Sequence, residues 1–175
     1  MIKLTNLLTE QKFEYGCAML YFKFPKDILD LQSKIDKDDI YTEKGDRTYG
    51  IETEPHLTLL FGLHKEVTPK DIENVLDRFN FTPLTLYNPS AFRNPKYDVL
   101  KIDVSNNIIY EVNIELQKFP FTTEFPDYHP HATIAYLKPD TSDKYADMIS
   151  GYTWKVIPEY AVYSEPNGKQ TKIQI

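Results

Sequence analysis

The sequence reads as an α+β protein with antiparallel sheets, built as two similar halves related by a pseudo-two-fold axis across a central cleft. Three observations predict this. Strand-like and helix-like stretches follow one order twice: strand, helix, strand, helix, strand from Tyr15, and again from Tyr97. The middle strand of each set carries the same pattern, a histidine and a threonine two residues apart in an apolar run. These are His56-Leu57-Thr58-Leu59 and His131-Ala132-Thr133-Ile134. Finally, hairpin-like connections are mixed with helical ones, which suggests α+β with antiparallel sheets.

Residues 13–24 are mostly apolar on both faces and read as a buried strand that Pro25 stops. Ile28, Leu29, Leu31 and Ile35 then recur at helical spacing. A polar stretch from Asp36 to Glu54, with the turn signal Lys44-Gly45-Asp46, leads into the first motif strand. Thr68-Pro69-Lys70-Asp71 offers an N-cap, a proline at the first helical position and an acid in the first turn, which predicts a helix over 69–79. Strands are expected over 83–92 and 97–104, joined by Arg93-Asn94-Pro95-Lys96. Ser105 is the expected cap of a helix reaching about Lys118, and a Pro-rich irregular stretch follows to Pro130. After the second motif strand come a short helix near 142–150 and two strands, 154–164 and 169–175, joined at Pro166-Asn167-Gly168.

A chain of 175 residues with 41% hydrophobic content can bury a core as one domain, or as two tightly joined lobes. The 13 Tyr and 10 Phe suit a sheet-rich, aromatic-lined protein. A net charge of −6 argues against long nucleic acid as a partner, because counterion release needs a basic surface. A small nucleotide in a local pocket stays compatible. The one cysteine, Cys17, allows no intrachain disulfide and no cysteine-based zinc site, and reads as a small buried residue. The first ten residues lack the apolar stretch of a signal peptide, and no run is long enough for a membrane helix. The expectation is therefore a cytosolic, soluble protein with no membrane partner.

In a strand, His56 and Thr58 share one face, as do His131 and Thr133, while Leu57 and Ala132 take the other. If the two strands lie side by side, both pairs aim at one phosphate. One imidazole can take a proton from the attacking oxygen while the other gives one to the leaving oxygen. The threonine hydroxyls can hydrogen-bond the non-bridging oxygens where charge accumulates. A single His-x-Thr is more often a polar pair on a solvated face, but two copies in matching halves favour the functional reading. A metal site is a weaker alternative, since neither motif has a third carboxylate or cysteine ligand at a recognisable spacing. His64 reads as a loop residue, and His129, cut off from His131 by Pro130, has a modest claim to line the site.

At these residues the chain resembles the 2H phosphoesterase superfamily, which is defined by two His-x-Thr/Ser motifs. The resemblance implies one bilobal domain over 1–175, with two antiparallel sheets lining a central cleft and helices outside. The blocks 13–22, 50–63 and 129–138 more closely resemble the bacteriophage anti-CBASS phosphodiesterases. This likeness implies metal-independent cleavage, with no cofactor, of 3′–5′ bonds in the cyclic di- and trinucleotides that infected bacteria use as defence messengers. It also implies action in the cytoplasm of an infected host. His56 and His131 would be the acid/base pair, Thr58 and Thr133 the phosphate clamps. Tyr15 and Trp154 are candidates for stacking on a base, with core burial as the other reading for each. Lys138 is a candidate phosphate contact or a solvated strand end, and Glu52 and Glu54 either point away or meet base edges. Rival readings are a 2′,3′-cyclic phosphodiesterase on RNA ends, a non-catalytic nucleotide sponge, and a structural protein with incidental histidines. Oligomeric state, the preferred nucleotide and the split of acid and base roles are not written in the sequence.

Overall fold

The computed structural model describes residues 14–46 and 48–175. Eight strands and four helices follow in the order β1 (Gly16–Tyr21), α1 (Lys26–Lys34), β2 (His56–Leu63), α2 (Pro69–Leu76), β3 (Leu84–Arg93), β4 (Asp98–Ser105), α3 (Asn107–Leu116), β5 (His131–Leu137), α4 (Asp143–Met148), β6 (Trp154–Val156), β7 (Tyr160–Ser164) and β8 (Gln170–Ile173). The strands form one antiparallel sheet in the order β6-β3-β4-β5-β2-β1-β7-β8. The expected two sheets are thus a single sheet, because the motif strands β5 and β2 join directly through the pair Leu57↔Ala132. Four strands lie on either side of that join. The last strand of each sequence repeat crosses over, β3 onto β4 and β7 onto β1.

One face of the sheet is apolar. Leu20, Leu57, Leu59, Leu100, Ile102, Ala132 and Ile134 are fully buried there with Ile28, Ile72, Ile109 and Val112 from the helices. Alternation along the strands sends the polar members of both motifs to the opposite face.

β2 and β5 separate on either side of Leu57↔Ala132, and each newly exposed strand edge is filled by the segment that precedes the other motif strand. Residues 39–41 and 50–52 run beside β5 through the bridges Ile40↔Leu137 and Ile51↔Ala135, while Leu63 of β2 bridges Phe121. Two helix side chains complete the seam. Gln32 of α1 donates to the Ile134 carbonyl at 3.0 Å, and Asn113 of α3 to the Leu59 carbonyl at 2.7 Å. The polar sequence of 36–54 concealed this strand-like role. Gly62 is needed where the two backbones meet: its φ is +99° and a Cβ would lie 1.9 Å from the Thr122 carbonyl oxygen.

Several element boundaries differ from the sequence reading. The 154–164 stretch is two strands at opposite sides of the sheet, broken around Pro158, which has no N–H for a ladder. The cap of α3 is Asn106, whose side chain accepts from Ile108 N–H; Ser105 ends β4. The α2 capping box forms between Thr68 and Asp71, and the helix tightens into turns to Phe79 beyond Leu76. Of the first predicted strand, Gly16–Tyr21 enters the sheet and Phe13 lies outside the described residues.

Candidate active site

The antiparallel register about Leu57↔Ala132 places His56 next to Thr133 and Thr58 next to His131. The two pairs are therefore crossed: each histidine faces the threonine of the other motif. All four are half-buried on the face away from the helices.

The histidines are held alike. His56 Nδ1 lies 2.9 Å from the Glu54 carbonyl oxygen, and His131 Nδ1 lies 2.8 Å from that of His129. A carbonyl only accepts, so in both rings Nδ1 carries the proton and Nε2 is the working nitrogen. In both motifs the carbonyl belongs to the residue before a proline, Pro55 and Pro130, whose rings favour extended backbone there. Glu54 and His129 thus serve through their backbones. The Glu52 carboxylate accepts from the Glu54 N–H at 2.7 Å, which turns it into its own loop.

The surroundings differ between halves. Tyr21 of β1 stacks on His56 with centroids 5.1 Å apart and itself stacks on Tyr160 at 5.0 Å. His131 instead packs edge-to-face with Phe92, with centroids 4.8 Å apart, and has Asp103 directly across on β4. Burial holds the His131 imidazole below its ordinary protonation range. Lys101 and His56 push the same way, whereas the His129 carbonyl and Asp103 oppose them.

Around Thr58, Tyr128 donates to its carbonyl at 2.9 Å, and Cys17 sits beside its hydroxyl. Burial pushes the Cys17 thiol up to about 12, so it stays protonated and is no nucleophile at neutral pH. Cys17 is half-buried on the site face, where a core position was expected.

The other residues singled out from sequence lie apart. Tyr15 is beyond the Gly16 end of β1, stacked on His64 at 5.8 Å, beside a concavity of about 390 Å³ that Phe61 and Phe125 also line. His64 also bonds the Thr122 hydroxyl at 2.8 Å. Trp154 is at the sheet edge opposite Leu86, whose side chain is in the core, and its indole N–H donates to Asp27 at 2.9 Å. That places it on the helix side, where it lines a concavity of about 330 Å³ with Tyr152 and Met148. Lys138 is exposed past the Leu137 end of β5, its backbone N–H on the Asp39 carbonyl. Sequence reasoning missed Tyr21, Lys101 and Asp103, whose strand parity was readable but whose neighbours were not. It also missed Phe92, which the β-bulge at Asn88 turns to the site face, and Tyr128, which lies in the irregular stretch before β5. Among the described residues no three His, Cys, Asp or Glu side chains gather as a metal site would need, and no helix is long and apolar enough to cross a membrane.

No family model and no curated protein matches the sequence. Among solved structures, the chain is similar to Usb1 of Kluyveromyces marxianus, with a TM-score of 0.57 at 8% identity over 94% of this chain and 99% of that one. A structure of the same Usb1 with uridine monophosphate matches with a TM-score of 0.55, also at 8% identity, over 93% and 99% of the two chains. The likeness covers nearly the whole of both chains and shows that they share a fold.

Proposed function

We propose that this chain is a metal-independent phosphodiesterase of the 2H type, acting on a ribonucleotide phosphate held on the open sheet face. The observation that carries the reading is the matched anchoring of His56 and His131. Both rings have Nδ1 fixed on a backbone carbonyl, and each stands beside the other motif's threonine across one strand pair. Such preorganisation suits proton transfer at two Nε2 atoms on either side of one phosphorus.

Because burial favours its neutral form, His131 is the base and His56 the acid. His131 Nε2 takes the proton of a ribose 2′-hydroxyl as that oxygen bonds to the neighbouring phosphorus. His56 Nε2 gives its proton to the departing 5′-oxygen as the P–O bond breaks. The products are a 2′,3′-cyclic phosphate and a free 5′-hydroxyl. Thr58 and Thr133 donate to the non-bridging oxygens as negative charge grows there.

Two substrate classes fit. The uridine monophosphate held by the structurally similar Usb1 favours RNA ends, including opening of a terminal 2′,3′-cyclic phosphate by water. The likeness of blocks 13–22, 50–63 and 129–138 to the anti-CBASS enzymes favours cyclic di- and trinucleotides.

The test is incubation in excess EDTA with three substrates: an oligoribonucleotide ending in a 2′,3′-cyclic phosphate, 3′,3′-cyclic GMP-AMP, and a cyclic triadenylate. Cleavage of the first alone selects RNA ends, and linearised products from the others select the messengers. His56→Ala and His131→Ala should each slow cleavage by about 10²–10⁴-fold. Intact but bound nucleotide would sink the enzyme reading and leave a sponge.

A further inference from the structure

The pseudo-two-fold axis through Leu57↔Ala132 lets the two halves be compared residue by residue, and they differ in charge. Outward from His56 stands Tyr21, and outward from Thr58 stands Met19. Their counterparts are Asp103 outward from His131 and Lys101 outward from Thr133. The half built on β1 and β2 thus offers the site no cation at these positions, whereas the half built on β4 and β5 offers an ammonium directly across from Thr133.

Lys101 is unusual for a lysine on a sheet face. It is 8% exposed, although lysine rarely stays buried without a specific partner. Its Nζ is ion-paired with Asp103 and sits 5.0 Å from the centre of the Phe92 ring, the ring that packs on His131. Asp103 in turn accepts from Asn88 Nδ2 at 2.6 Å, so its carboxylate stays partnered if the lysine turns away. Directly opposed side chains on an antiparallel pair start about 5 Å apart at Cβ. A lysine stem spans that gap, so the ammonium can reach an oxygen bound at the Thr133 hydroxyl.

We propose that Lys101 is the phosphate-binding cation of this site, neutralised by Asp103 at rest and shared with the phosphate that docks at Thr133. The proposal rests on the reading of this face as a phosphate site. It adds a second, permanent positive charge to that of the protonated His56, which two threonines and a neutral His131 do not supply. It also makes the site asymmetric: one non-bridging oxygen meets ammonium and hydroxyl, the other only the Thr58 hydroxyl beside Met19.

The test measures binding of inorganic phosphate and of uridine 3′-monophosphate to the full chain by calorimetry, with circular dichroism confirming the fold of each variant. Lys101→Met should weaken both ligands about tenfold, the scale of one lost charge-assisted hydrogen bond. Lys101→Arg should stay within about threefold of wild type, because it keeps the cation. Asp103→Asn should tighten both ligands by about threefold or more by freeing the ammonium. Unchanged affinity in Lys101→Met overturns the proposal, as does failure of wild type to bind either ligand. Should Lys101→Met not fold, unchanged affinity in Asp103→Asn overturns it. Lys101-dependent binding without cleavage of any substrate supports the proposal and overturns the phosphodiesterase reading. Cleavage with affinity indifferent to Lys101 does the reverse.

Discussion

His131 is where chemistry and stability meet. Burial depresses its proton affinity in the folded chain, so over a window below the ordinary imidazole range the unfolded chain binds more protons. Its contribution to stability is complete above the unfolded value of about 6.5 and is lost as pH falls through the folded one. Urea midpoints taken between pH 7.5 and 5 should therefore fall more steeply for wild type than for His131→Ala. Equal slopes would show that the ring is as free to protonate in the folded state as in the unfolded one. The same depression places the limb of the cleavage profile that reports the general base below the usual histidine range. Tyr21 contributes differently, by stacking on the His56 ring, which limits its rotation.

At the scale of elements, the seam between β2 and β5 is the critical feature. Two strands that touch at one pair and then diverge would leave backbone groups without partners on both inner edges. The chain answers with two loop segments and two amides, Gln32 from α1 and Asn113 from α3, which hold equivalent places in the two halves. Gln32→Leu and Asn113→Leu should each cost about 1–3 kcal/mol, the penalty for stranding a buried carbonyl. Chemical denaturation measures this directly, and a neutral outcome would mean that water replaces the amide. Because Gln32 also bonds the Glu52 carbonyl at 2.8 Å, it steadies the loop that feeds His56. Its loss should lower cleavage as well as stability.

For the whole molecule, the crossing of β3 and β7 ties the halves together. Each half of the sheet contains strands from both repeats, so neither repeat can bury its own apolar face alone. Unfolding should be a single transition, although the architecture looks divisible. The sole tryptophan, Trp154, reports from the β6 edge, while far-ultraviolet circular dichroism reports from all strands and helices. Coincident denaturation curves from the two probes are expected. An earlier transition in Trp154 fluorescence would show that the β6-side half melts separately.

The sequence by itself determined the local facts. Alternation placed each histidine and threonine on one strand face, proline and threonine set the start of α2, and the doubled His-x-Thr pattern marked the residues on which the proposed chemistry depends. Those features depend on neighbours within a few positions, so they are visible in a linear reading. Only the tertiary structure decided that the two expected sheets are one, that 154–164 splits to opposite sides, and that Trp154 faces the helices instead of the histidines. It also decided the register about Leu57↔Ala132, and with it the crossed pairing of His56 with Thr133 and Thr58 with His131. Lys101 and Asp103 become site residues for the same reason. A strand's own sequence sets which face a side chain takes, but what it meets across the gap depends on partners tens of residues away.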